Sequence, residues 1–261
     1  MKVATILPTP LLGQEPATDY NMCLFHMVRD NEEYAKYFRT LRDQGKFVIM
    51  DNGAAEGVNP SPAELAAVYK KVQPSEIVLP DIVYDKEETL RRTKEAYIQF
   101  CDEFMHQRYQ FMAVPQGETF HEWLSCMTEM MQQRHITTIG VSKFVTPKYQ
   151  EEMGKGTNVR LECVDAIITE AARLGVAMQI HLLGCWDNPA EVGEIDRAFG
   201  DRVRGTDSAI AYVYTRAGKI YTPDINRPDN TEIDFNHGST GKGDVGLLQQ
   251  NMNSWIKYCQ A

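Results

Sequence analysis

Three aspartates and a glutamine stand just beyond short apolar runs: Asp51 after FVIM, Asp81 after EIVLP, Gln116 after FMAVP and Asp207 after RVRGT. Glycines mark similar positions, with Gly117 following Gln116, Gly140 inside TTIGV and Gly184 closing HLLG beside Leu183. Carboxylates gathered at one place suit displacement at an anomeric carbon, because one attacks or stabilises the oxocarbenium-like centre while another moves protons. The same set could hold a divalent cation. Gln116 offers both a donor and an acceptor, which suits the edge of a planar heterocycle better than a cation. Taken singly, each Asp or Gly reads as a turn or cap; the joint pattern points to a site. His181, inside an apolar run, reads as a core histidine. Cys185 has no activating partner nearby in sequence.

These residues converge only if the runs lie side by side. Short apolar runs alternate with amphipathic stretches, the signature of parallel strands joined by crossover helices. Strands are expected at 3–7, 47–50, 76–80, 111–114, 137–141, 178–183 and 202–206, with an eighth within 210–221. Helices are expected at 32–43, 62–72 with Ser61 as N-cap, 86–107, 120–132, 161–174, 190–199 and 245–258. A closed barrel and an open doubly wound sheet share this pattern. No Gly-rich phosphate turn follows the first strand, which favours the barrel. The expected fold is therefore an α/β (β/α)8 TIM-type barrel, one domain over residues 1–261, with its site at the C-terminal strand ends. Segments 8–27, 144–157 and 223–243, rich in Pro, Gly, Asn or Thr, read as insertions at that face.

The bulk properties set limits. A balance of 27 Lys+Arg against 36 Asp+Glu, net −9, disfavours generic phosphate-backbone binding, so any nucleic-acid contact must be a local patch. The six cysteines include no CxxC pair, and no zinc or other metal site is expected from them. No run approaches the ~20 apolar residues of a membrane helix. The start, MKVATILPTPLLG, reads as a first strand rather than a signal peptide, and a cytoplasmic protein is expected. The run HGSTGKG lacks phosphate-loop spacing.

The motifs resemble, in order, those of the tRNA-guanine transglycosylase (queuine tRNA-ribosyltransferase) superfamily. MDNGAAEG is similar to its Asp-Ser-Gly-Gly turn and IVLPDIV to the strand bearing its base-binding Asp. AVPQGE resembles its Gln-Gly motif, TTIGVSK its Gly-rich strand, HLLGCWDNPAEV its Leu-Met-Gly segment and RVRGTDSA the strand with the nucleophilic Asp. The resemblance implies a cofactor-free pentosyltransferase in which Asp207 attacks the anomeric carbon and Asp51 is the general acid/base. Asp81, Gln116, Gly117, Gly140, Leu183 and Gly184 would bind the base. The family's zinc motif is absent, and Ala54-Ala55 stand where its stacking aromatic is expected, leaving Tyr84, Phe144 or Trp186 for that task. The compact, zinc-free form is most similar to the virus-encoded branch that inserts 7-deazaguanine derivatives such as preQ0 into DNA. DNA and a free 7-deazaguanine base are then the expected partners, with tRNA as the alternative acceptor; a host cytoplasm would be the compartment. Lys143, Lys148, Arg204 and Arg216 are the candidate phosphate contacts, with Lys155, Arg202, Lys219 and Lys242 as further possibilities. A nucleoside or glycoside hydrolase using the same carboxylates, and a non-catalytic nucleic-acid-binding barrel, are the competing readings.

Overall fold

The computed structural model describes residues 1–14, 18–103, 110–185, 189–222, 235–236 and 244–260. Among these residues there are eight strands: β1 (Lys2–Thr5), β2 (Tyr20–Cys23), β3 (Phe47–Met50), β4 (Glu76–Val78), β5 (Gln110–Ala113), β6 (Ile136–Ser142), β7 (Gln179–Leu183) and β8 (Val203–Ser208). All pair in parallel in the order β1-β8-β7-β6-β5-β4-β3-β2. The end strands β1 and β2 lie side by side, so the sheet closes nearly into a barrel. Around it run α1 (Phe25–Asp30), α2 (Glu32–Asp43), α3 (Pro62–Val72), α4 (Lys86–Glu103), α5 (Phe120–Met131), α6 (Val145–Met153), α7 (Val159–Leu174), α8 (Pro189–Phe199), α9 (Ile210–Arg216) and α10 (Asp244–Cys259). This is the expected α/β TIM-type barrel. No helix among the described residues is long and apolar enough to cross a membrane.

Local chemistry sets the helix boundaries. Ser61 caps α3 in a reciprocal capping box with Glu64, and Pro62 occupies a first-turn position where no N–H is needed. Asn31, Thr119 and Asn158 cap α2, α5 and α7 by accepting from the backbone N–H of Tyr34, Glu122 and Leu161.

The eighth strand is not where the residue pattern suggests. Residues 210–216 form α9, although Ile, Val and Tyr favour strands. Five of its seven residues, Ile210, Ala211, Tyr212, Tyr214 and Thr215, are buried, so the helix is held by packing around most of its circumference. The missing strand is β2, inside the segment read as an insertion. All four of its residues are buried, so it lacks the alternation that identifies a strand, and Asn21 interrupts its apolar run. The segment 144–157 likewise contains a helix, α6.

Two bulges alter which residues face the barrel axis. Between β7 and β8 the register passes from Ile180↔Val203 to His181↔Gly205, so Arg204 is an extra residue on β8. An inserted residue reverses side-chain parity. Arg204 and Asp207, three apart, therefore both turn inward: Arg204 at the N-terminal end and Asp207 at the C-terminal end. At the lower level Tyr20, Glu76, Thr138 and Arg204, from the four even-numbered strands, form one layer of the kind that fills such barrels.

Candidate active site

A cavity of about 180 Å³ opens at the C-terminal ends of the strands. That exceeds the roughly 150 Å³ known to accommodate a benzene ring. Asp51, Asp81 and Asp207 line it together with Glu56, Lys143, Phe144, Leu183, Gly184 and Phe235. The three aspartates expected to meet do meet.

Asp207 is anchored through one of its two oxygens. Its Oδ1 accepts from the backbone N–H of Gly184 at 3.0 Å and lies 3.0 Å from His181 Nε2. Gly184 adopts φ 67, a left-handed conformation that turns its N–H toward the carboxylate, and a Cβ there would meet Lys143 Cδ at 2.8 Å. Behind it the fully buried Arg160 of α7 donates to the carbonyls of Gly184 (2.8 Å) and Val141 (3.0 Å), and Glu191 lies 3.6 Å away. Gly184 thus both lines the cavity and supports Asp207.

Asp51 follows β3, where its Oδ2 accepts from the Gly53 N–H at 3.0 Å. Enclosure by protein, with Glu56 and Asp207 nearby, raises its pKa well above the usual carboxylate range. Asp81 accepts from Asn52 Nδ2 on one oxygen and from Gln116 Nε2 on the other, each at 2.6 Å. Burial outweighs these bonds and pushes its pKa up to about 6. Carboxylate oxygens offer about four acceptor sites in all, so Asp81 can still receive donors from a ligand.

Gln116 is placed differently from the expectation. It stands behind Asp81, away from the lining: its amide nitrogen holds Asp81 and its oxygen accepts from the Tyr84 N–H at 3.0 Å. That second bond supports Tyr84 in a left-handed conformation, φ 66, uncommon for an aromatic residue. Gly117 is also off the cavity. Its carbonyl accepts from Tyr149 Oη at 2.7 Å, and a Cβ would strike the start of α5 at 2.6 Å. Gly140 lies beneath the cavity floor, where a Cβ would meet Leu183 Cδ1 at 2.7 Å and Met112 Sδ at 2.9 Å. Leu183 lines the cavity as expected.

The candidate phosphate contacts divide. Lys143 lines the cavity, with Nζ 5.4 Å from the centre of the Phe144 ring. Lys148 is engaged by Glu118 at 2.6 Å and lies over the Tyr84 ring. Arg216 ends α9, three residues or about 4.5 Å along the helix from the cavity-lining Val213, and does not itself line the cavity. Arg204 is a correction: the bulge turns it into the barrel, where it pairs bidentately with the fully buried Glu76 and donates to Tyr20 Oη at 3.1 Å. It is unavailable to a phosphate. Lys155, Arg202 and Lys219 are exposed. Trp186, Asp187 and Asn188, the HGSTGKG run and Lys242 lie outside the described residues.

Of the aromatics considered for stacking, Phe144 lines the cavity, and Phe235 joins it unforeseen. Also unforeseen are Asn52, whose adjacency to Asp51 was the available signal, Arg160, and the engagement of His181. The described cysteines are free thiols, with Cys101 exposed and the other five buried. Among the described residues no three His, Cys, Asp or Glu side chains are grouped to hold a metal ion.

No family model matches the chain, and no curated protein matches it. A solved structure described as "Crystal Structure of RipC from Yersinia pestis" is similar at 10% identity and a TM-score of 0.45, over 79% of this chain and 87% of that one.

Proposed function

We propose that the chain is a transglycosylase that exchanges guanine in DNA for a 7-deazaguanine base, working without a cofactor in the cytoplasm, with tRNA as the alternative acceptor. The observation that carries this reading is the convergence of three aspartates in different states on one cavity. Asp51 is enclosed and disposed to hold a proton, Asp81 is buried between two amides, and Asp207 is anchored through one oxygen. Carboxylates driven apart in proton affinity are how one site supplies both an acid and a nucleophile.

In this reaction Asp207 Oδ2 attacks C1′ of the target nucleotide. The C1′–N9 bond breaks, and the departing guanine takes its electron pair and the proton of Asp51. The incoming base returns a proton to Asp51 as its ring nitrogen attacks C1′ and breaks the ester to Asp207. Asp81 accepts from the ring N–H and exocyclic amine of the base; each buried donor left unpaired would cost about 1–3 kcal/mol. Phe144 or Phe235 supplies an apolar face for the ring, and Lys143 is the lysine at the mouth. A duplex substrate must flip the nucleotide out first.

Incubating the protein with a labelled 7-deazaguanine base and either duplex DNA or tRNA, then analysing digested nucleosides by mass spectrometry, tests the reading. Incorporation into DNA that Asp207→Asn abolishes is the expected result. Incorporation only into tRNA moves the reaction to that acceptor, free guanine without incorporation makes the protein a hydrolase, and no reaction on either polymer overturns the proposal.

A further inference from the structure

A line of hydrogen bonds crosses the barrel interior from its lower layer to the cavity. Arg204 Nε lies 3.1 Å from Tyr20 Oη, Tyr20 Oη lies 2.6 Å from His181 Nδ1, and His181 Nε2 lies 3.0 Å from Asp207 Oδ1. Tyr20 and His181 are buried. The two ends constrain the directions between them. A guanidinium can only donate, so the Tyr20 oxygen accepts from Arg204 and keeps one proton of its own; a carboxylate nucleophile can only accept, so Nε2 is the donor to Asp207. His181 Nδ1, 2.6 Å from Tyr20 Oη, is placed to take the Tyr20 proton, which leaves the ring proton on Nε2.

We infer that His181 is a positioning residue for Asp207, locked by Tyr20 and Arg204 in the Nε2–H tautomer so that Oδ1 is anchored and Oδ2 faces the cavity. The partner of one ring nitrogen fixes what the other can do. With the Gly184 N–H also on Oδ1 at 3.0 Å, two donors converge on one oxygen and set the carboxylate's rotation. Glu76 holds Arg204 at the far end, so the orientation of the attacking group is set from the opposite end of the barrel. The inference rests on the reading of Asp207 as nucleophile.

Two measurements separate the failure of this inference from the failure of that reading. In protein labelled with ¹⁵N-histidine, ring ¹⁵N shifts of resting His181, assigned by the loss of its signals in His181→Asn, should show protonation on Nε2 alone. This needs no substrate; protonation on Nδ1, or averaging between tautomers, overturns the inference even if base exchange is active. Tyr20→Phe removes the directing O–H while keeping the ring, and it should bring His181 into tautomer exchange. It should also lower kcat roughly 10–100-fold with KM within about threefold. An unaltered kcat in a Tyr20→Phe protein with an intact near-ultraviolet spectrum overturns it as well.

Discussion

At the scale of single residues, the three aspartates differ by environment rather than by type. Asp81 provides the sharpest test, because its folded pKa, about 6, lies above the ordinary 3.8 through burial. Lowering pH through 6 protonates it and removes the acceptor a base needs. Affinity for a free 7-deazaguanine should therefore fall roughly tenfold per pH unit below that value. Titration calorimetry from pH 5 to 8 checks this, and Asp81→Asn should bind weakly with little pH dependence. A flat wild-type profile would remove Asp81 from base recognition. The stability consequence has the opposite sense. The folded state holds the proton more firmly than the unfolded chain, so Asp81 contributes stability fully present below about pH 4 that is lost as pH rises through 6. Urea midpoints of wild type minus Asp81→Asn should decline over that window.

At the scale of elements, the site is a set of strand ends tied from behind. Arg160 reaches from α7 to the carbonyls ending β6 and β7, and it is completely buried beside Glu191. Removing one member of a buried ion pair leaves the other uncompensated, at about 3–5 kcal/mol. Arg160→Met should cost that much in urea unfolding, more than an exposed pair such as Arg173 with Glu170 would. Where it folds, Arg160→Met should also slow base exchange, since the Gly184 peptide that donates to Asp207 loses its support. A loss of stability under 1 kcal/mol would contradict this account.

For the whole molecule, closure depends on how closely the strands approach. Gly205 pairs with Lys2 across the β8–β1 ladder, and a Cβ there would lie 2.6 Å from Tyr20 Cε1 and 2.7 Å from the Lys2 carbonyl oxygen. One obstacle is backbone and the other a buried ring, so neither can yield cheaply. At Gly140 the obstacles are the ends of the Leu183 and Met112 side chains, which can shift. Overpacking typically costs about 1–3 kcal/mol. Gly140→Ala should fall within that range and Gly205→Ala above it; the reverse order in thermal denaturation would show that the seam is looser than the geometry implies.

Seven strands, the α3 capping box and the convergence of Asp51, Asp81 and Asp207 were legible along the chain, because they depend on local periodicity, on cap chemistry and on polar residues placed at strand ends. What was illegible depends on parity and partners distant in sequence. β2 carries no alternation because it is buried on both sides. Arg204 looked like a surface cation until one extra residue in β8 turned it inward to Glu76, 128 positions away. Gln116 looked like a base reader, yet both ends of its amide hold Asp81 and Tyr84. His181 is the buried histidine its apolar run suggests, but only the folded barrel sets it between Tyr20 and Asp207, 161 and 26 positions away. Sequence by itself determined the barrel and the groups at its mouth, since periodicity and strand-end chemistry are local. The tertiary structure decided which of those groups face the cavity and which hold them, since hydrogen-bond direction and side-chain parity are settled only when distant strands pair.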